Sequence, residues 1–365
     1  MLLSLGVLEL GARRLRSGVA AEPGAEIYRT PCPYLMFAGK PGAVADIADC
    51  MTRYQGPPAH VEMDEMGVRR DDRITQPKRP DATRIVVLGG STVFLGSTSA
   101  DTIPARLERL LHEGGRTDVE VFNFGVVSYV SGQDLMMLLH RVADLSPDMV
   151  IAYGGGNDIF TPFGYDPRPG YPYNFFMVED AIATARGTNS WDLLSALAAR
   201  SALVSLTRGQ PLTTGTGDPL TRLREQVGYR SAGWEDRVVA TYIGNLEKMA
   251  ALAQGFGFKL AAVLQPMLHF KTPHVGRESQ FVGDADFSDY LDRQYDRTRK
   301  AYVDLEQRHG GGGCHFIDIS LCLRDCNREL YWDLIHTDNE GNGLIARAIK
   351  AALRERGLPP ARASQ

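Results

Sequence analysis

Five short apolar runs, each ending in glycine or in small and polar residues, limit this chain more than any other feature. They are RIVVLG from residue 84, VEVFNFG from 119, DMVIAYG from 148, FKLAAVLQP from 258 and HFIDIS from 315. Between them lie stretches of helical period near 102–113, 131–144, 235–255, 286–308 and 341–355. Runs this short and this apolar have no polar face to give to water. As strands they must be buried on both sides, and strands alternating with helices give βαβ units around a parallel sheet.

Ligands of open parallel sheets bind beyond the carboxyl ends of the strands. The residues just after the runs are Gly90 and Ser91, then Gly125, then Gly155-Gly156-Asn157-Asp158, then Gln265-Pro266, and last the stretch DLIHTDNEGN from Asp333. Ser91, in VVLGGSTVFLG, has three readings: a helix cap, part of a phosphate cradle, or a nucleophile. The phosphate reading is weak, because GGSTVFLG does not fit G-x-G-x-x-G and lacks a P-loop lysine. The second run also offers Asn123 where a ribose-binding acid would stand. A cap would leave the other strand-end residues unexplained.

The nucleophile reading uses them. A serine hydroxyl needs a base oriented by a third group, and Asp333 and His336 stand as D-x-x-H beyond the last run. An oxyanion needs donors, for which the candidates are the N–H groups of Ser91 and Gly125 and the amide of Asn157. Asp158 reads as the residue that fixes the turn presenting Asn157. Thr92, Gly156, Asp158 and Gln265 are further candidates for the substrate-binding wall. His269 and His274 have no acidic partner nearby in sequence and read as loop residues. Phe94, Tyr129, Phe160, Phe163 and Tyr171 either shape an acyl or sugar site or simply pack.

Away from the runs the chain changes character. Residues 1–20 hold a short apolar stretch, Leu2 to Leu10, followed by Arg13, Arg14 and Arg16. This is shorter than the roughly 20 residues that span a bilayer. The order of charges is also wrong for a signal peptide. The segment reads either as the tail of a membrane helix or as an amphipathic helix. Residues 21–83, rich in Pro, Gly and charge, read as an irregular leader packed on the domain. A domain over 84–358 carries an insert at about 161–233, a lid or a surface excursion. Lys and Arg number 40 against 44 Asp and Glu, which argues against a nucleic-acid partner. The five cysteines lack zinc-site spacing. The plain reading is unpaired, mostly buried thiols; in an exported chain Cys32 with Cys50 and Cys322 with Cys326 would be the pairs to test.

Taken together, GGST at 89–92 (Gly89 to Thr92), NFG at 123–125, GGND at 155–158 and DLIH at 333–336 resemble the blocks of the SGNH or GDSL-type hydrolases, in that family's order. The resemblance implies an α/β fold, a three-layer α/β/α sandwich with a flavodoxin-like five-stranded parallel sheet, and no metal or cofactor. It implies a serine esterase acting on a small-molecule or carbohydrate ester, with Ser91 as nucleophile, His336 as base and acid, Asp333 as its orienter, and Ser91, Gly125 and Asn157 as the oxyanion hole. The leader, with Gly67-Val68-Arg69, resembles a bacterial subgroup that has GGST in the first block and an N-terminal membrane segment, which implies a cell-envelope location; a chain starting at Met1 would be cytoplasmic. Gly90 stands where the family's name-giving Asp would be. An O-acyltransferase using the same residues, or a non-catalytic glycan- or lipid-binding domain, remains open, as does the oligomeric state.

Overall fold

The computed structural model describes residues 28–49, 54–69, 74–176, 178–179 and 219–360. The N-terminal segment 1–20, Cys50 and most of the insert, including the helical stretch from 191 and the polar loop from 209, lie outside the described residues.

The leader is more regular than its composition suggests. Strand β1 (Arg29–Cys32) pairs antiparallel with β2 (Met36–Gly39), and β3 (Val44–Asp46) with β4 (His60–Glu62). Strands of three and four residues are too short to show a period of two, so the glycines and prolines around them hide them in sequence. The main sheet comprises β5 (Thr83–Gly89), β6 (Val119–Gly125), β7 (Met149–Gly154), β8 (Lys259–Leu264) and β9 (Cys314–Asp318). All are parallel, in the order β6-β5-β7-β8-β9. Counted along the chain this is the flavodoxin-like 2-1-3-4-5 order, whose switch point lies between β5 and β7.

The described helices are α1 (Ser91–Phe94), α2 (Ile103–Glu113), α3 (Ser131–Met137), α4 (Gly156–Gly164), α5 (Pro219–Val227), α6 (Ala232–Phe256), α7 (Ala285–His309) and α8 (Asn339–Glu355). Alternation along the strands sorts the core into two layers. Val86, Leu88, Phe122, Phe124, Val150 and Ala152 pack against Met137, Leu246 and Tyr295 of α3, α6 and α7. Ile85, Val87, Val121, Met149 and Ile151 pack against Leu107 and Ile349 of α2 and α8. The protein is therefore an α/β/α sandwich with both sheet faces covered. Side chains mark the helix starts: Ser231, Asp284 and Asp338 accept the N–H groups of Trp234, Phe287 and Gly341. The stretch expected as helix over 131–144 is α-helical only to Met137, then widens into a π turn over Leu138–Val142.

A third, smaller cluster joins the leader to the sheet's carboxyl edge. Tyr28, Ile47, Val61 and Met63 pack on Phe94, Leu95, Val127 and Trp332, which belong to or follow segments that carry candidate site residues. Cys32, Cys314, Cys322 and Cys326 are free thiols, so Cys322 and Cys326 are not bridged. No described helix is long and apolar enough to cross a membrane.

Candidate active site

Ser91 follows the strand next to the switch point and is the first residue of the one-turn helix α1. The N-cap position is held by Gly90, so Ser91 does not cap the helix; its Oγ lies 2.6 Å from His336 Nε2. His336 Nδ1 lies 2.6 Å from Asp333 Oδ2. A carboxylate can only accept, so Nδ1 donates to Asp333 and Nε2 is left with a lone pair for the Ser91 hydroxyl proton. That is the protonation state from which a serine can be activated.

The D-x-x-H segment works through a local turn. Asp333 Oδ1 accepts the backbone N–H groups of Ile335 and His336 at 2.8 and 2.7 Å, while Oδ2 faces the imidazole. Burial alone would raise the Asp333 pKa, but electrostatic attraction to the His336 ring, its hydrogen bond and these backbone donors outweigh burial and hold the carboxyl below its ordinary value. The segment is closed on itself: Trp332 N–H donates to His336 O, and Asp338 N–H to Leu330 O. It is tied down by Glu278, whose Oε1 accepts the N–H groups of Leu330 and Tyr331 and whose Oε2 meets Lys271 Nζ at 2.6 Å, both side chains being fully buried. Trp332 stacks on the His336 ring, 4.7 Å between centroids and 9° from parallel, and Tyr54 of the leader meets Trp332 edge-on. Trp332 was missed in sequence; its signal is an aromatic directly before the Asp of D-x-x-H.

Against Gly90, the residue before Ser91, stands Asn157, in the first turn of α4 after β7. Its Nδ2 donates to Tyr129 O at 2.8 Å. The amide approaches so closely that a Cβ on Gly90 would lie 2.6 Å from it. This accounts for glycine at the position where the resemblance leads one to expect Asp. Asp158 accepts the N–H and Oγ–H of Ser131, which anchors the Asn157 turn to the start of α3. Burial pushes the Asp158 carboxyl up to about 6, against the lowering effect of those bonds. Gln265 is buried, its amide packed against Gly156; Thr92 is half-buried beside Ser91.

Two expectations need correction. Gly125 does not aim its N–H into the site: that group donates to Asn123 Oδ1 at 3.0 Å, and a Cβ on Gly125 would lie 2.7 Å from Phe94 N. Gly125 is there to let β6 pass close under α1. What abuts Gly90 and Asn157 is the following turn, Val126 to Tyr129, closed by Tyr129 N–H on Val126 O, with Ser128 at a φ of 71°. His269, read as lacking an acidic partner, has one from a distant helix: Asp292 of α7, 2.8 Å from its Nε2. Of the aromatics, Phe94 and Tyr129 are buried packing residues, and Phe160 and Phe163 join a ring cluster with Phe287. Among the described residues no cluster of three or more His, Cys, Asp or Glu is arranged to hold a metal.

Fold and site together define an α/β/α sandwich with a serine, histidine and aspartate in hydrogen-bonded sequence at the carboxyl edge of its sheet. No protein-family model matches the chain, and no curated protein does. Among solved structures, the chain is similar to a variant of Axe2, an acetyl-xylooligosaccharide esterase from Geobacillus, at 12% identity over 77% of this chain and 97% of that one, TM-score 0.44. It is similar to a GDSL-like lipase from Parabacteroides merdae at 13% identity over 77% and 98%, TM-score 0.43. An acetyl xylan esterase, AlAXEase, matches at 14% identity over 74% and 99%, TM-score 0.40.

Proposed function

We propose that this protein is a serine esterase of the SGNH type that cleaves carboxylic esters of short acyl groups, with carbohydrate or lipid as the alcohol. The observation that carries the reading is the chain of contacts Ser91 Oγ to His336 Nε2 and His336 Nδ1 to Asp333 Oδ2, 2.6 Å each. On this reading residues 84–358 are the catalytic domain, residues 21–83 its leader and residues 1–20 a membrane-associating segment.

Ser91 Oγ attacks the ester carbonyl carbon while its proton passes to His336 Nε2, and Asp333 stabilises the imidazolium that results. The carbonyl oxygen becomes an oxyanion. As the first residue of α1, Ser91 has an N–H with no helical acceptor, and the Asn157 amide has a second hydrogen beyond the one given to Tyr129. We assign these two as donors, and take the third from the turn after β6 in place of Gly125: Ser128 N–H there has no acceptor among the described hydrogen bonds. When the carbon–oxygen bond to the alcohol breaks, His336 returns the proton to the leaving oxygen. Water, deprotonated by the same Nε2, then attacks the acyl-Ser91 ester, and as the acyl–oxygen bond breaks His336 returns that proton to Ser91 Oγ and the acid is freed. Trp332, stacked on the ring, restricts its rotation through both half-reactions.

The test is hydrolysis of p-nitrophenyl esters of graded chain length by the native protein and by Ser91→Ala. Turnover of the short esters that is lost in the variant is expected. A native protein inert toward every chain length would overturn the reading and favour a binding domain, and a Ser91→Ala variant with native turnover would overturn the assignment of Ser91 as the nucleophile.

A further inference from the structure

We infer that Arg69, in the leader, is a positioning residue for the nucleophile: it fixes the turn that carries Ser91 by holding the backbone that leaves it. This inference rests on the serine-esterase reading above.

Helix α1 is a single turn of four residues. So short a helix has no cooperative stability of its own, and the carbonyls at its exit have no helical donor. Four successive carbonyls there are instead each taken by a side chain from far along the chain. Val93 O accepts from Asn123 Nδ2 at 2.9 Å, Phe94 O from Arg69 Nη1 at 2.5 Å, Leu95 O from Asn342 Nδ2 at 3.1 Å, and Gly96 O from Arg69 Nη2 at 2.7 Å. Asn123 belongs to β6 and Asn342 to α8, both inside the sandwich. Arg69 comes from the leader and holds two of the four.

The geometry suits arginine and no other residue. Its side chain is 1% exposed, and its rigid fork reaches Phe94 O and Gly96 O together while Nη2 also donates to His60 O at the start of β4. The guanidinium carbon lies 5.2 Å from the centroid of the Phe94 ring, against which Tyr28 of the leader stacks at 5.5 Å. A cation at the C-terminal end of a helical turn is also electrostatically favourable. One group therefore binds the leader's second strand pair to the backbone three and five residues after the nucleophile. The turn itself is closed by Leu95 N–H on Ser91 O at 2.8 Å. Release of Phe94 O and Gly96 O loosens that closure, and with it the 2.6 Å approach of Ser91 Oγ to His336.

The test compares Arg69→Gln and Arg69→Lys with Leu353→Ala, a folding control in the last turn of α8, fully buried and remote from the turn. Two quantities are read: the split between kcat and KM on a short ester, and hydrogen–deuterium exchange over residues 91–96. In Arg69→Gln kcat should fall at least about tenfold, as misplacement of a reacting group predicts, with KM within about twofold. Exchange over 91–96 should quicken. Arg69→Lys, which keeps the charge but not the fork, should lie between, and it decides the matter if the Gln variant does not fold. Leu353→Ala should lower the melting temperature and leave kcat and the 91–96 exchange as in the native protein. The inference is overturned if the Arg69 variants keep kcat within about twofold and native exchange, or if Leu353→Ala, matched in melting temperature, loses as much kcat. If the native protein hydrolyses no ester, the esterase reading fails by itself, and the exchange comparison alone decides whether Arg69 fixes the turn.

Discussion

Two histidines beyond the carboxyl ends of the strands each face a carboxylate at hydrogen-bond distance, yet their surroundings differ. His269 meets Asp292 at 2.8 Å through Nε2, and that carboxylate stands on the outside of α7 with 60% of its side chain exposed. His336 meets Asp333 at 2.6 Å through Nδ1, the carboxylate is clasped by two backbone N–H groups, the ring is stacked on Trp332, and the other ring nitrogen faces Ser91 Oγ. A histidine–carboxylate contact thus occurs in both places, and what sets His336 apart is a carboxylate fixed by the backbone and a far nitrogen that faces a hydroxyl.

The sharpest way to break this comparison is to delete each ring. His336→Ala should lower kcat/KM by a factor of about 10³ or more, as loss of a triad member does. His269→Ala should stay within about twofold, since its partner carboxylate is largely exposed and such a contact contributes little. Steady-state kinetics on one short ester decides it, and equal losses would erase the distinction drawn here.

A smaller loss is expected on the oxyanion side. Asn157→Ala should reduce kcat by about 10² with KM little changed, the usual consequence of losing one oxyanion donor. Gly90→Ala should lower kcat in the same sense, because its Cβ would meet Asn157 Nδ2 at 2.6 Å and displace the amide. A Gly90→Ala variant with native kcat would show that the amide need not stand where the structure has it.

The smallest expected effect concerns stability. Burial raises the Asp158 carboxyl to about 6 in the folded chain, above the value of about 4 that it has unfolded. The folded state therefore binds the proton more tightly, so the ionised carboxylate costs stability above pH 6, and that cost is relieved as pH falls through 6 toward 4. Between about pH 7 and pH 5 the melting temperature of the native protein should rise relative to that of Asp158→Asn. A difference that does not change with pH would contradict this assignment.

The main sheet was legible because strands buried on both faces must be written in unbroken apolar residues, and each of the five runs coincides with a strand to within about two residues. The convergence of Ser91, Asn157, Asp333 and His336 on one edge was legible for a related reason: in a parallel sheet every strand delivers its following loop to the same side. What sequence could not supply was contact between distant segments. Asp292 lies on a helix, 23 residues after His269. Nothing in NFG says that Asn123 takes the N–H of Gly125, which turns an expected donor into a packing residue. The leader strands are too short to have a readable period, and the role of Arg69 depends on carbonyls 25 and 27 residues away.

The central claim is that Ser91 is the nucleophile, and the most direct measurement is mass spectrometry of the protein after treatment with a fluorophosphonate. One phosphonyl adduct is expected, mapped to the peptide that contains Ser91, absent from Ser91→Ala and slowed by orders of magnitude in His336→Ala. No adduct on the native protein, or an adduct that persists in Ser91→Ala, would contradict it.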